Sequence, residues 1–331
     1  MPDLQLAALA AHRFGFGPRP GELRVIAGDP RGWVKGQIGR QVTPPAPIAA
    51  LPPAEDDLLA FGRWLARRRL NGGNAARMQE RAERQGVSPE ELQRLSIEQE
   101  FVENFRERVT RAVAARVEAG LTTQTPVHER LVHFWSNHFT VSTAKPGAVA
   151  LPPSFEKEAI RPHVGGRFAD MLLASTKHPG MIVYLDNWLS VGPNSRIGQN
   201  PNRGRRLPGG GRPTGINENL GREILELHTL GVNGGYTQAD VQALAAIITG
   251  WTYERPRLRD LVNDDLATRT GAQLFEFDAD AHEPGPKTLL NRTYAQTGVA
   301  QGEAALADLA RHPSTARFIA TKLCRHYIAD D

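Results

Sequence analysis

The sequence predicts a mainly α-helical protein: one multi-helix globular domain spanning 1–331 and carrying at most a small β-ribbon. Three observations predict it. Apolar residues recur at helical three-and-four spacing over most of the chain. Serine, threonine and proline stand repeatedly where helices start. The 331 residues are 40% hydrophobic and 23% charged, enough for a substantial core, and no long low-complexity linker divides them.

In chain order, the first forty residues read as short helices punctuated by Gly15, Gly17, Pro18, Pro20 and Gly21, with a turn at 18–21 before a segment at 22–27. Pro44, Pro45, Pro47, Pro52 and Pro53 make a stiff connection, after which a helix resumes near Glu55 and carries Arg67, Arg68 and Arg69 as a solvated end. Ser88-Pro89-Glu90-Glu91 is a strong helix start, because serine caps an orphan N–H, proline suits the first helical position and Glu91 reaches back as a capping box. A long helix is expected from there to about 119, with Leu92, Leu95, Phe101, Val102 and Phe105 facing the core.

Thr125-Pro126 starts a helix running through 139, and Pro152-Pro153-Ser154 starts another. Gly165-Gly166 and Pro179-Gly180 cut the next stretch into short apolar helices at 168–176 and 181–185. From 192 to 215 the composition turns to glycine, proline, asparagine and arginine, so a long loop is expected, made basic by Arg196, Arg203, Arg205, Arg206 and Arg212. Helices resume at 217–231 and 237–250, the second opened by Thr237 and Asp240 in capping-box spacing. Trp251-Thr252-Tyr253 and 273–277 can pair as a ribbon, and helices at 303–310 and 313–328 follow. Cys324, the single cysteine, reads as a small buried apolar residue.

Forty basic residues face 36 acidic ones, so the +4 charge is locally balanced and does not imply nucleic acid. Met1-Pro2-Asp3 lacks a signal-peptide n-region, and the apolar run 4–11 is too short to span a bilayer. As it stands the chain reads as cytoplasmic without a transmembrane segment, and as periplasmic or exported if a leader has been removed.

Two segments carry groups suited to chemistry. On a helix starting at Asn217, Leu220, Ile224 and Leu227 form an apolar stripe at about 100° per residue. Asn219, Glu223 and Glu226 gather on one flank, and His228 on the other. Adjacent carboxylates raise one another's pKa and can hold a divalent cation or divide acid and base roles. Equally, each can pair with an arginine such as Arg222 and fasten the helices together. On the helix after Pro126, Glu129, His133 and Asn137 share a polar face, whereas Val127, Leu131, Trp135 and His138 belong to the other. His133 is the better chemical candidate, and His138 fits a hydrogen-bonded core histidine. The helix is not a HExxH zinc motif, Gly209-Gly210-Gly211 lacks the GK[ST] of a phosphate loop, and no G-x-S-x-G elbow occurs. Gly234-Gly235-Tyr236-Thr237 reads as a tight turn and helix cap, and turn chemistry also explains Asp186-Asn187.

The run 131–139 (LVHFWSNHF), His178-Pro179-Gly180-Met181 leading to Tyr184-Leu185-Asp186-Asn187, Asn217-Glu218-Asn219 with Arg222-Glu223, and 226–232 (ELHTLGV) together resemble the DUF1800 family. Gly234-Gly235-Tyr236-Thr237, Thr249-Gly250-Trp251, His282 with Gly285-Pro286-Lys287, and His312-Pro313-Ser314-Thr315-Ala316-Arg317 extend the match over nearly the whole chain. The resemblance implies an uncharacterised bacterial protein whose relatives are often exported and encoded beside a DUF1501 protein, which makes such a protein the expected partner. It supplies no established reaction. The sequence departs from the family in two ways, lacking a visible leader and stopping at Asp330-Asp331 where relatives usually continue with further helices; the second suggests a fragment truncated at its C-terminus.

The leading expectation is a hydrolase in which Glu223 and Glu226 act as acid and base or as ligands of a divalent cation. His133 is their histidine candidate, and Arg222 and Asn219 orient the substrate. Asn137, Asn217, His228 and Trp135 complete the expected substrate contacts; the metal, if one is used, is not identified by the residues. The rival expectation is a binding or assembly protein whose basic loop engages an anionic glycan, surface or partner. Nucleic acid ranks lower, because no aromatic residues interleave with those arginines.

Overall fold

The computed structural model describes residues 3–39, 43–71, 75–97, 100–145, 148–200, 215–263 and 274–329, with side chains outside 96–106. The chain is mainly α-helical. Three short helices open it: α1 (Leu4–Phe14), α2 (Glu22–Ile26) and α3 (Pro30–Lys35). Asp3 and Asp29 cap the first and third by accepting from Leu6 N–H and Gly32 N–H. Then come α4 (Ala46–Ala49), α5 (Ala54–Asn71), α6 (Ala75–Arg84), α7 (Pro89–Ile97) and α8 (Glu100–Thr122). The expected Ser88–Glu91 box is present, Ser88 N–H donating to Glu91 at 2.7 Å and Glu91 N–H to Ser88 at 3.2 Å. The long helix expected after it is described as α7 and α8. The side chains of Phe101, Val102 and Phe105 lie outside the described set.

Next, α9 (Pro126–His138) runs nearly to the expected end, and α10 (Leu151–Phe155) continues into a π-helical turn (Glu156–Ile160) and a 3-10 turn (Arg161–His163). Short helices α11 (Phe168–Lys177) and α12 (Pro179–Tyr184) follow where glycine and proline were expected to cut the chain. Of the 192–215 loop only 192–200 and 215 are described. A short helix, α13 (Arg196–Gln199), occurs there, while Arg203, Arg205, Arg206 and Arg212 lie outside the described residues.

After it, α14 (Asn219–Glu223) passes into a second π-helical stretch (Ile224–Thr229), then α15 (Gln238–Ile247), opened by the expected Thr237–Asp240 capping box. The wide turn corrects one expectation. Leu227 is 44% exposed, while Leu220, Ile224, Leu225, His228 and Thr229 are buried. In the π stretch the bonds run i to i+5, seen in Leu230 N–H to Leu225 O at 2.9 Å, so the turn takes an extra residue and rotates Leu227 off the stripe.

The expected ribbon is present: β1 (Trp251–Tyr253) pairs antiparallel with β2 (Phe275–Phe277), Trp251 opposite Phe277, with α16 (Leu258–Asn263) between them. A second ribbon, β3 (Lys287–Leu289) with β4 (Arg292–Tyr294), turns through Leu290 and Asn291, both at positive φ. Helices α17 (Val299–Arg311) and α18 (Pro313–Tyr327) end the described chain. Cys324 on α18 is exposed, against expectation, because that helix turns another face inward and buries Thr315.

Two large apolar clusters hold these elements. One joins α9, α11, α14, α15 and α17 around Val132, Leu172, Ile224, Leu244, Trp251 and Leu306. The other joins α5, α6, α7, α12 and α16 around Leu58, Phe61, Met78, Leu92, Val183 and Tyr253. Tyr184 and Phe275 pack against both.

Candidate active site

As the four-residue spacing predicts, α9 presents Glu129, His133 and Asn137 along one side. Each meets a different environment. Glu129 is 1% exposed and accepts both terminal nitrogens of Arg161, at 2.8 and 3.0 Å. Arg161 also donates from Nε (3.1 Å) and Nη2 (2.9 Å) to Glu156 Oε1. Burial opposes the charge of Arg161, but the hydrogen bonds of Glu129 and the fields of Glu156 and Glu129 outweigh it and raise its pKa.

Glu156 is the hinge of this arrangement. It opens the π turn after α10, whose first turn contains Pro152 and Pro153 and whose Leu151 and Phe155 are buried anchors. Its Oε2 accepts the hydroxyl of Ser136 at 3.0 Å and lies 3.1 Å from Arg116 Nε on α8. The Arg116 N–H is not aimed at the carboxylate, so this contact is an ion pair without a hydrogen bond. Two arginines and two glutamates thus balance in charge where α8, α9 and the π turn meet.

Against this network lies a polar cavity of about 300 Å³, lined by Arg116, His133, Ser136, Asn137, Thr140, Val141, Pro152, Phe155 and Glu156. Burial, then the field of Arg116, pushes the His133 pKa down against the opposing pull of Glu156 and Glu129, which favours the neutral ring. The ring lies tilted against Phe16, their centroids 5.2 Å apart. His133 Nε2 and Arg116 Nε are both enclosed, and neither has a hydrogen-bond partner among the described residues. They are two of several buried side-chain atoms without such a bond among the described residues. A neutral imidazole and a guanidinium on one cavity wall can respectively accept a proton and face developing negative charge.

The remaining residues singled out in the sequence lie elsewhere. Glu223 and Glu226 are half-buried beside each other, and burial followed by the charge of Glu226 raises the Glu223 pKa against Arg222. Tyr236 donates to Glu226 Oε2 at 3.3 Å. Arg222 does not seal the acid pair: it donates to Glu218 at 3.0 Å and Gln238 at 2.8 Å. No hydrogen bond or ion pair among the described residues joins Glu223 or Glu226 to His133, and the charged groups acting on Glu223 are not those acting on His133. The two segments meet instead at His138 and His228, where His138 Nε2 lies 3.0 Å from His228 O.

Asn217 shapes a turn, accepting from Asn219 N–H at 2.9 Å and donating to the carbonyls of Leu185 and Asp186. Trp135 packs among aromatic rings, 4.9 Å from Phe134 and 5.7 Å from Phe168. His228 is buried against Phe139 at 5.1 Å, and burial, then Lys322, pushes its pKa down to about 3. His138 is the hydrogen-bonded core histidine expected, its Nε2 donating to His228 O (3.0 Å) and its Nδ1 accepting from Lys322 Nζ (3.0 Å). Of these contacts only Asn137 lines the cavity. Sequence reasoning missed Arg116, Ser136 and Glu156. The faint signal for Arg116 is its place beside the small buried face of Ala112, Ala115 and Ala119. For Glu156 there is none, since the π turn that aims it has no local signature.

No group of three or more acidic, histidine or cysteine residues suited to a metal ion occurs among the described residues, and no helix there is long and apolar enough to cross a membrane. A family model described as "Protein of unknown function (DUF1800)" matches residues 9–331, so the chain belongs to that family. No curated protein and no solved structure matches it.

Proposed function

We propose that this DUF1800 member is a hydrolase acting on a carbonyl substrate, with its active site in the cavity between α8, α9 and α10. The observation that carries this reading is the polar cavity itself, whose wall brings together His133, Ser136 and Asn137 of α9 with Arg116 of α8, helices separate in sequence. A neutral His133 takes a proton from water as the water oxygen bonds to the carbonyl carbon. Arg116 faces the oxyanion that forms. As it collapses, the bond to the leaving group breaks and the imidazolium returns the proton to the departing atom. Asn137 and Ser136 hydrogen-bond the substrate and the water. Arg161 acts through Glu156, which it holds in place, and is a positioning residue. Glu223 and Glu226 take no part in this reading, since no hydrogen bond or ion pair among the described residues joins them to His133.

The test is a panel of p-nitrophenyl esters and amides assayed with wild type, His133→Gln and Arg116→Gln, each checked for an unchanged melting temperature. Loss of turnover by two orders of magnitude or more in both variants is expected. A wild type that cleaves nothing in the panel, or variants that cleave as well as wild type, would overturn the proposal.

A further inference from the structure

The cavity has an apolar neighbour. A chamber of about 130 Å³ is lined by Leu51, Val109, Ala112, Val113, Thr143, Pro152 and Pro153, and it shares Arg116, Pro152 and Glu156 with the polar cavity. Its exposed lining is mostly apolar. A dry cavity of roughly 150 Å³ admits one benzene-sized molecule, so this chamber, open on the side of Val113, has room for one such group. Because the two hollows share the wall formed by Arg116, Pro152 and Glu156, an apolar group in the annex stands next to a carbonyl in the polar cavity. The surrounding charges, Arg116 and Arg161 against Glu129 and Glu156, cancel. An uncharged carbonyl compound therefore suits the site better than an anion.

Resting on the reading of the cavity as an active site, we infer that its substrate class is neutral acyl esters or amides whose acyl part is a single benzene-sized group, seated in the annex between α4, α8 and α10. Long acyl chains and fused ring systems exceed the annex. Acetyl compounds leave it unfilled.

Binding of acetamide, benzamide and 2-naphthamide to the intact protein, followed by amide and side-chain NMR shifts, tests the assignment without requiring turnover. Benzamide is expected to bind at least tenfold more tightly than acetamide, from the apolar area it buries, and more tightly than 2-naphthamide. Val113→Trp, at a position 57% exposed where a larger side chain does not disturb the core, is expected to remove that advantage and leave acetamide unchanged. Val109→Phe, on the same wall, serves as a second block, with melting temperatures as the folding control. Equal affinity for the three amides, a rise continuing through 2-naphthamide, or undiminished benzamide binding in both variants would overturn the inference. Size-selective binding in a protein that cleaves no ester would support the annex and sink the hydrolase reading. Ester cleavage indifferent to acyl size and to both blocks would do the reverse.

Discussion

Replacing Arg161 by methionine should cost about 3–5 kcal/mol of folding stability, because it leaves buried carboxylates without their cation. The side chains of Arg161, Glu129 and Glu156 are 4%, 1% and 8% exposed, so water cannot replace the lost guanidinium. The loss falls unevenly. Glu156 keeps Arg116 and Ser136, whereas the hydrogen bonds resolved to Glu129 all come from Arg161. The uncompensated charge is thus close to one, at Glu129, which argues for the middle of that range. Against a typical total of about 5–15 kcal/mol, this is a large fraction. Urea unfolding followed by tryptophan fluorescence reads it directly: with a slope of about 3 kcal/mol per molar, the midpoint should fall by roughly 1–1.5 M. Arg161→Met combined with Glu129→Gln should recover about half the loss, since the second change removes the stranded charge. A single-variant loss below about 1 kcal/mol, the scale of a solvent-exposed pair, would refute the claim that this network is sealed.

Two further outcomes follow from buried groups. His228 is held neutral, its pKa pushed down from 6.5 to about 3, so the stability it contributes is full above pH 6.5 and is lost as the pH falls toward 3. By pH 5 the loss is about 2 kcal/mol, from 1.5 pH units below the unfolded value at about 1.36 kcal/mol each. Asp57 works the other way: burial raises it from 3.8 to about 7 against Ser154 and Arg108, so its contribution falls as pH rises through that range. The effect of His228 is therefore read as the difference between wild type and His228→Leu in urea midpoints at pH 7.5 and pH 5; equal pH dependence in the two would count against it. Leu227→Gln should change stability by less than about 0.5 kcal/mol, because the π stretch turns that side chain outward; a loss of 2 kcal/mol or more in the same assay would restore the regular helix.

The parts of this fold legible in the sequence are those whose cause is local. Ser88 with Glu91 and Thr237 with Asp240 announce helix starts through hydrogen bonds three residues apart. Trp251 and Tyr253 opposite Phe277 and Phe275 announce a ribbon by aromatic alternation. The β3–β4 ribbon is hidden because its turn uses Leu290 and Asn291 at positive φ without the glycine that usually marks one. Leu227 is misplaced by a helix of uniform period, since the π turn answers to packing around His228 and Thr229. The site divides the same way. Helical spacing puts His133 and Asn137 on one face, but Arg116 and Glu156 reach them through tertiary contacts alone. The two motifs richest in acids and imidazoles, each readable by itself, give no sign in sequence that they meet through His138 and His228.

The cavity holding His133 and Arg116 is, on the function proposed above, where this protein meets its substrate. Benzamide added to isotope-labelled protein tests it most directly, through the nitrogen resonances of the His133 ring and of Arg116 Nε. Both are expected to shift on binding, saturating together, while Tyr236 and the Glu223–Glu226 segment stay in place. Shifts confined to that acid segment, with His133 and Arg116 unmoved, would contradict the account.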